Sequence, residues 1–385
     1  MPEHDTPRGT VAEGFEPVRD AFAAAVRREG GDLAAQVVAY WHGERVVDLW
    51  TGPEITGDSL LGAYSASKGA AHLIVALLVQ EGVLDLDERV SHYWPEFAAE
   101  GKREITLREL LAHRAGLVGA DTGFTPDELA DDRVVAARLA RQRPYWRPGT
   151  AFGYHALVAA ALTGEVVRRA TGRTVQELFA ERVRDVYGVD FHLGLPADQE
   201  PRFLTAQPPL ATPERLAALS SRATGPHSLP GIAFNRNHPD NPELWTLPNL
   251  RTVRALGPAS FGGVASARGL ARMYAIAIDS VDGLPPLLTP DTTAAFAQIH
   301  SIGHELVTRE HKAFTAGFHA TSELYPSLGQ GAFGHSGAGG QQAFADPRNA
   351  IAYGYTRRRF PFPNGPAPEN APLVHALHTA VDRLR

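Results

Sequence analysis

The sequence predicts an α/β protein of the α+β type: an antiparallel sheet drawn from both chain ends and flanked by helices, with a mostly helical block inserted between. Three observations point there. Near the N-terminus a helical pattern runs into two β-rich segments joined by a short turn. The middle of the chain reads almost entirely as helices. Near the C-terminus short β-rich segments alternate with turn residues before a last helical stretch. An interrupted sheet needs its two halves to meet, and a cleft forms where the inserted block rests on it. The expected division is a discontinuous sheet domain, residues 1–75 and 262–385, and a helical domain, residues 76–261.

Taken in order, Phe15, Val18, Phe22, Ala25 and Val26 recur at helical spacing, so 15–28 is an amphipathic helix that stops at Gly30-Gly31. Ala35-Gln36-Val37-Val38-Ala39-Tyr40-Trp41 and Arg45-Val46-Val47-Asp48-Leu49-Trp50 form a hairpin through His42-Gly43-Glu44. The apolar run 73–79 is a central helix buried on all sides, broken at Glu81-Gly82. Thr106 and Glu109 make a capping box at the start of a helix that stops at Gly116. Helices are expected over 127–142, 156–170 and 174–186, with the rigid loop Pro144-Tyr145-Trp146-Arg147-Pro148-Gly149 between the first two. Periodicity fades over 196–263, a long irregular excursion. Helical signal returns at 267–274. Strands are then expected at 315–319, 332–335, 342–345 and 350–355, and a closing helix at 371–384.

Within this layout three segments carry chemistry. The first is Tyr64-Ser65-Ala66-Ser67-Lys68-Gly69. If Ser65 opens a helix, Lys68 three residues on stands over the same face. A serine hydroxyl is a poor nucleophile at neutral pH and needs a neighbour to take its proton; a lysine does so when desolvation or nearby positive charge lowers its pKa. The free N–H groups of a helix N-terminus can also hold an oxyanion. Alone, the tetrad more often describes a helix cap with a surface lysine.

The second segment, Pro148-Gly149-Thr150-Ala151-Phe152-Gly153-Tyr154-His155-Ala156, delivers a tyrosine hydroxyl from a loop to the start of a helix. Such a phenol shuttles protons if an adjacent ammonium lowers its pKa; otherwise Tyr154 is a core tyrosine with a satisfied hydroxyl. The third, Phe333-Gly334-His335-Ser336-Gly337-Ala338-Gly339-Gly340, puts glycines on a strand where the backbone can approach another molecule and a free N–H can serve as a second oxyanion donor. Alone, it is a flexible hairpin.

With 385 residues, 44% of them hydrophobic, the chain can bury a substantial core. A formal net charge of −6 and the lack of any Lys/Arg run leave no footprint for nucleic acid or an anionic membrane. With no cysteine there is no disulfide, zinc-thiolate site or thiol nucleophile. Met1-Pro2-Glu3-His4-Asp5 has neither the basic nor the apolar region of an export signal, and no segment approaches the about 18 apolar residues of a membrane span, so a cytoplasmic protein is expected. Sixteen histidines supply two close pairs, His300 with His304 and His375 with His378. Neither has a His-Glu-x-x-His pattern or a third ligand, so no metal and no cofactor is expected.

Together, Ser-x-x-Lys near the start, Pro-Gly-x-x-x-x-Tyr in the middle and His-x-Gly near the end resemble the serine β-lactamase-like superfamily, which includes the penicillin-binding proteins. Glu81-Gly82-Val83-Leu84-Asp85-Leu86-Asp87, Tyr93-Trp94-Pro95-Glu96-Phe97 and Leu110-Leu111-Ala112-His113-Arg114-Ala115-Gly116-Leu117 resemble it as well. The likeness runs from Val11 to the C-terminus and is weakest over 196–250. Gly334-His335-Ser336-Gly337-Ala338-Gly339-Gly340 followed by Phe344-Ala345-Asp346-Pro347 most resembles the family VIII carboxylesterases.

This resemblance implies a β-lactamase/transpeptidase-like fold. It implies Ser65 as the acylated nucleophile, Lys68 and Tyr154 as the proton-handling pair, and the N–H groups of Ser65 and Ala338 as the oxyanion hole. Two departures matter. Ala156 stands where β-lactamases usually have Asn. His335 stands where they have Lys, so a group mostly neutral at pH 7 replaces a permanent cation that grips a carboxylate. Both favour esters over penicillins.

The implied function is hydrolysis of a small-molecule ester or acyl substrate through an acyl-enzyme. A transacylase passing the acyl group to an amine or alcohol shares that intermediate; a β-lactamase or D,D-peptidase keeps the fold but loses ground at Ala156 and His335. Tyr64, His155, Trp146, Trp245 and Phe261 are expected in the pocket wall with His335 and Gly337. A rival reading takes Ser336 as the nucleophile of an α/β-hydrolase, a fold that needs its acid and then its histidine downstream, where only a short tail with His375 and His378 remains. A catalytically dead binding module is the alternative outside enzymes; the filling of all three positions argues against it.

Overall fold

Both chain ends contribute strands to one sheet in the computed structural model, which describes residues 6–29, 32–210, 212 and 224–385. In chain order the strands are β1 (Arg8–Val11), β2 (Ala35–Trp41), β3 (Glu44–Thr51), β4 (Leu61–Gly62), β5 (Phe191–His192), β6 (Val264–Ala265) and β7 (Ser301–His304). They continue as β8 (His311–Phe314), β9 (His319–Ala320), β10 (Phe333–Ser336), β11 (Gly339–Gly340), β12 (Gln342–Asp346), β13 (Ile351–Arg357) and β14 (Gly365–Pro366). Among the described residues a nine-stranded sheet runs β1-β3-β2-β13-β12-β10-β9-β8-β7, with every neighbouring pair antiparallel. The two chain ends meet at β2 and β13, with Ile351 opposite Trp41 and Arg357 opposite Ala35. This is the expected α+β architecture.

The longer helices are α1 (Glu16–Arg28), α2 (Ser67–Gln80), α3 (Asp132–Arg141), α4 (Ala159–Thr171), α5 (Ala267–Ile278) and α6 (Asn370–Leu384). On one face of the sheet, Val18 and Phe22 of α1 and Leu373, Val374 and Leu377 of α6 share a core with Val37, Val47 and Tyr353. On the other, Leu73 and Ile74 of α2 and Met273 and Tyr274 of α5 join Val38 and Phe333. With both faces covered, β2 is buried from Ala35 to Tyr40, which explains a run that is apolar but for Gln36. Helix α2 is buried from Ser67 to Leu78. Each enclosed Leu, Ile or Val adds about 1.5–3 kcal/mol, so packing on all sides holds this helix in place.

Several expectations change in detail. The helix expected over 127–142 is two, Pro126–Ala130 and α3, because Asp131 leaves the helical region (φ −104°, ψ 102°) and its carboxylate accepts from the N–H of Arg133 and Val134. The capping box at Thr106 and Glu109 is present. The strand expected at 315–319 is mostly the turn between β8 and β9, closed by Thr315 N–H to Phe318 O at 2.8 Å. Strands β1 and β7 give no alternating signal because they are sheet edges with exposed positions. Short helices Leu229–Ala233 and Arg251–Leu256 interrupt the irregular stretch. Residues 1–5, the Gly30-Gly31 stop, and 211 and 213–223 of the irregular stretch lie outside the described residues. Among those described, no helix is long and apolar enough to cross a membrane.

Where β13 ends, Arg357 is buried between Glu369 at 2.7 Å and Glu29 at 3.0 Å, joining the ends of α1 and the sheet to the start of α6. Removing the guanidinium leaves the Glu369 carboxylate buried and unpaired. Arg357→Ala is therefore expected to lower unfolding free energy by about 3–5 kcal/mol, read as a lower urea midpoint at unchanged slope. A wild-type midpoint would show that this contact does not hold the chain ends together.

Candidate active site

After β4 and Ala63 the chain makes a 3₁₀ turn, Tyr64–Ala66, that leads into α2. Ser65 sits in this turn and not at the first α-helical position. Residues three apart eclipse in 3₁₀ geometry, so Lys68 Nζ still comes within 3.4 Å of Ser65 Oγ. Tyr64 holds φ at +47°, a left-handed conformation that costs a bulky residue of order 1–3 kcal/mol. Its surroundings impose it: Ser67 Oγ donates to Tyr64 O at 2.5 Å, and the phenol donates to Trp245 O at 2.8 Å.

Lys68 is fully buried. Its Nζ donates to Ala156 O at 2.6 Å and to Ser260 O at 2.9 Å. Burial, with no carboxylate partner among the described residues, brings its pKa down to about 7. The Tyr154 hydroxyl faces the Ser65 side chain, which acts on the phenol, and Lys68 Nζ lies 5.1 Å from the Tyr154 ring centre. Burial pushes the phenol pKa well up, the Ser65 contact opposes that, and the Glu305 carboxylate adds to it. The condition set for Tyr154, an ammonium that draws the phenol down, is not met. Desolvation disfavours both charges: the phenol keeps its proton, and the lysine is an amine above about pH 7.

Ala338 follows β10, which packs against the Tyr64–Ala66 turn. A methyl on Gly337 would sit 2.7 Å from Ala63 O, and one on Gly339 would enter the Tyr64 ring. Only bare backbone fits at these two positions. Between them Ala338 is half-exposed, as is Ser65. Among the described residues neither N–H has a hydrogen-bond acceptor, so both are free to hold an incoming oxygen.

The remaining expected wall residues divide. His335 is buried on β10, its Nδ1 bonded to Ser336 O at 2.8 Å and its pKa pushed well below the usual histidine value by burial and by His319 and Lys68. It is a neutral group behind the cleft. His155 is fully enclosed, with Nδ1 2.7 Å from Gly153 O and Nε2 accepting Leu117 N–H at 3.1 Å. Both nitrogens are used inside the protein, which corrects its assignment to the wall. Phe261 is a core residue, and the Tyr64 hydroxyl is spent on Trp245 O. Trp146 and Trp245 are half-buried; the Trp146 indole donates to Ala151 O at 3.1 Å and its ring packs on Gly153. Ser336 lies on a strand of an antiparallel sheet, not on the strand-to-helix elbow of an α/β-hydrolase. Among the described residues no three His, Asp or Glu side chains gather as a metal site; His300 bonds Arg108 and His378 bonds Asp382.

Three contributors escape sequence reading. Ser260 supplies a carbonyl to Lys68 and a hydroxyl that accepts Ala160 N–H at 2.9 Å. Gly263 bonds Ser67 Oγ and Ala63 at 2.9 and 2.8 Å, a close approach that the Gly262-Gly263 pair signals. Glu305 accepts Tyr154 N–H at 2.8 Å, and no motif marks it.

A family model described as Beta-lactamase matches residues 19–377. The esterase/beta-lactamase LipL of Mycobacterium tuberculosis is 30% identical over 374 residues, 91% of this chain and 82% of that protein. The structure of EstA from Arthrobacter nitroguajacolicus Rue61a superposes with a TM-score of 0.90 at 41% identity, covering 97% of this chain and 98% of that one. A family VIII carboxylesterase superposes with a TM-score of 0.85 at 32% identity, covering 97% and 99%.

If the Gly337 to Gly339 backbone supplies an oxyanion donor, Gly337→Ala is expected to slow covalent capture of Ser65 by a fluorophosphonate by about 10²-fold while the protein stays folded. An unchanged rate would show that the close approach to Ala63 has no part in the site.

Proposed function

The chain belongs to the beta-lactamase family, and from that premise we propose that it is a serine carboxylesterase working through an acyl-enzyme on Ser65. The observation that carries the reading is the meeting of one half-exposed hydroxyl, one buried amine, one buried phenol and two unbonded N–H groups. LipL is named an esterase and another relative a family VIII carboxylesterase, which supports esters as the substrate class.

In this mechanism Ser65 Oγ attacks the ester carbonyl. The carbonyls of Ala156 and Ser260 can only accept, so they take the two N–H groups of a neutral amine and leave its lone pair toward Ser65 Oγ. The serine proton passes to Lys68, directly or through the Tyr154 hydroxyl; two coupled groups share it and titrate as a pair. The Ser65 and Ala338 N–H groups hold the oxyanion. The proton then returns to the departing alkoxide, and water repeats the sequence on the acyl-enzyme. Neutral His335 gives no charged grip on a carboxylate, and Ala156 offers no side-chain amide, which favours uncharged esters over β-lactams. The same reading sets the site between a sheet domain, 1–75 and 262–385, and a helical domain, 76–261. Its support is the anchoring of Lys68 by carbonyls from Ala156 and Ser260.

Ser65→Ala is expected to abolish labelling by a serine-directed phosphonate and to lower p-nitrophenyl butyrate turnover by at least about 10⁴-fold. Because the amine is the working form, wild-type kcat/KM is expected to rise with pH through about 7. Labelling that survives Ser65→Ala contradicts the nucleophile, and nitrocefin turnover matching that of the butyrate ester contradicts the substrate class.

A further inference from the structure

Just past β7 a carboxylate that the mechanism above does not use is enclosed: Glu305 is 1% exposed. Its Oε2 accepts Tyr154 N–H at 2.8 Å and Val307 N–H at 2.7 Å, and its Oε1 accepts Thr308 N–H. Every partner is a donor, so both oxygens act as acceptors; an amide in their place would turn an NH₂ toward another N–H. Among the described residues no Arg or Lys pairs with it, so the buried charge rests on backbone dipoles alone. Burying such a charge costs stability, which its three N–H donors offset only in part.

We propose that Glu305 is a positioning residue for Tyr154, its carboxylate clamping the β7–β8 turn onto the loop that carries the phenol to Ser65. The proposal rests on the role given to Tyr154 above. A second tie supports the clamp: Leu306 N–H donates to Phe152 O at 3.0 Å, and above Gly153 the Trp146 and Val307 side chains leave no room for a methyl. The loop is therefore held on three successive residues, Phe152, Gly153 and Tyr154.

The clamp also acts through charge. The groups facing Tyr154 are Lys68 on α2, His113 after Leu107–Leu111, His319 on β9, His335 on β10 and the adjoining His155. Burial holds the four histidines neutral. Lys312 on β8 pairs with Glu310 and acts on His319. Glu305 is the anion that acts on the phenol, favouring its protonated form.

The test compares wild type, Glu305→Gln, Glu305→Asp and Tyr154→Phe in kcat, KM and the pH profile of kcat/KM for p-nitrophenyl butyrate, with folding checked by circular dichroism. Glu305→Gln is expected to lower kcat about 10- to 100-fold with KM within about twofold. It is also expected to move the rising limb near 7 to lower pH, since Lys68 and Tyr154 titrate as a pair and removing a negative charge beside the pair weakens its proton binding. Glu305→Asp keeps the charge but shortens the reach; kcat per folded molecule is expected to fall by a similar factor, with the rising limb at its wild-type position. A folded Glu305→Gln enzyme with an unmoved rising limb overturns the proposal. If that variant does not fold, full wild-type kcat in Glu305→Asp overturns it. Activity retained in Tyr154→Phe removes both the Tyr154 role and this proposal, whereas an inactive Tyr154→Phe beside a wild-type-like Glu305→Gln removes this one alone.

Discussion

Lys68 reaches its site with no carboxylate paired to it among the described residues; the carbonyls of Ala156 and Ser260 receive its N–H groups, and the apolar shell of α2 removes water. A buried ammonium left unpaired is costly enough that the group gives up its proton instead. The packing that makes α2 the centre of the larger core is therefore also what turns an ordinary lysine into a base near neutrality. The carbonyls come from two places where the middle of the chain returns to α2, so tertiary structure and proton affinity are fixed by the same contacts. A looser core would rehydrate the amine and restore its charge.

Apart from the Glu305 carboxylate, the rest of the cleft follows the same rule of burying polar groups uncharged. His113, His155, His319 and His335 surround Tyr154 and are all held neutral, and the phenol keeps its proton. Charge can then develop where Ser65 and Ala338 present N–H groups, in a site whose fixed dipoles need little rearrangement. Backbone strain at Tyr64 and the bare glycines on either side of Ala338 serve one end: they bring two chain segments, far apart in sequence, close enough to share an oxygen.

The sheet was legible because its central strands carry β-rich runs, and the capping box at Thr106 because its chemistry is local. Edge strands β1 and β7 were not, since exposed positions give no alternation. The residues of the three motifs could be picked out because each pairs a reactive group with a conformational marker: a serine before an apolar helix, a tyrosine after Pro-Gly, glycines on a strand. Their surroundings could not. The carbonyl of Ser260 has no side-chain signature, Glu305 is one acid among many, and His155 looked like a wall residue only by adjacency to Tyr154. The direction of the Tyr154 shift could not be read for a related reason. Sequence shows that an ammonium is near, but only packing shows that both groups are dry.

The central claim, that Lys68 is an amine near neutrality because it is buried, can be measured on the resting protein. The chain has three lysines, Lys68, Lys102 and Lys312, so an NMR titration of protein carrying ¹³Cε-lysine gives three signals, assignable with Lys102→Arg and Lys312→Arg. The account requires the Lys68 signal to titrate at about 7, below that of Lys102 at about 8. A Lys68 signal that stays charged up to the ordinary lysine value, about 10.4, would contradict it.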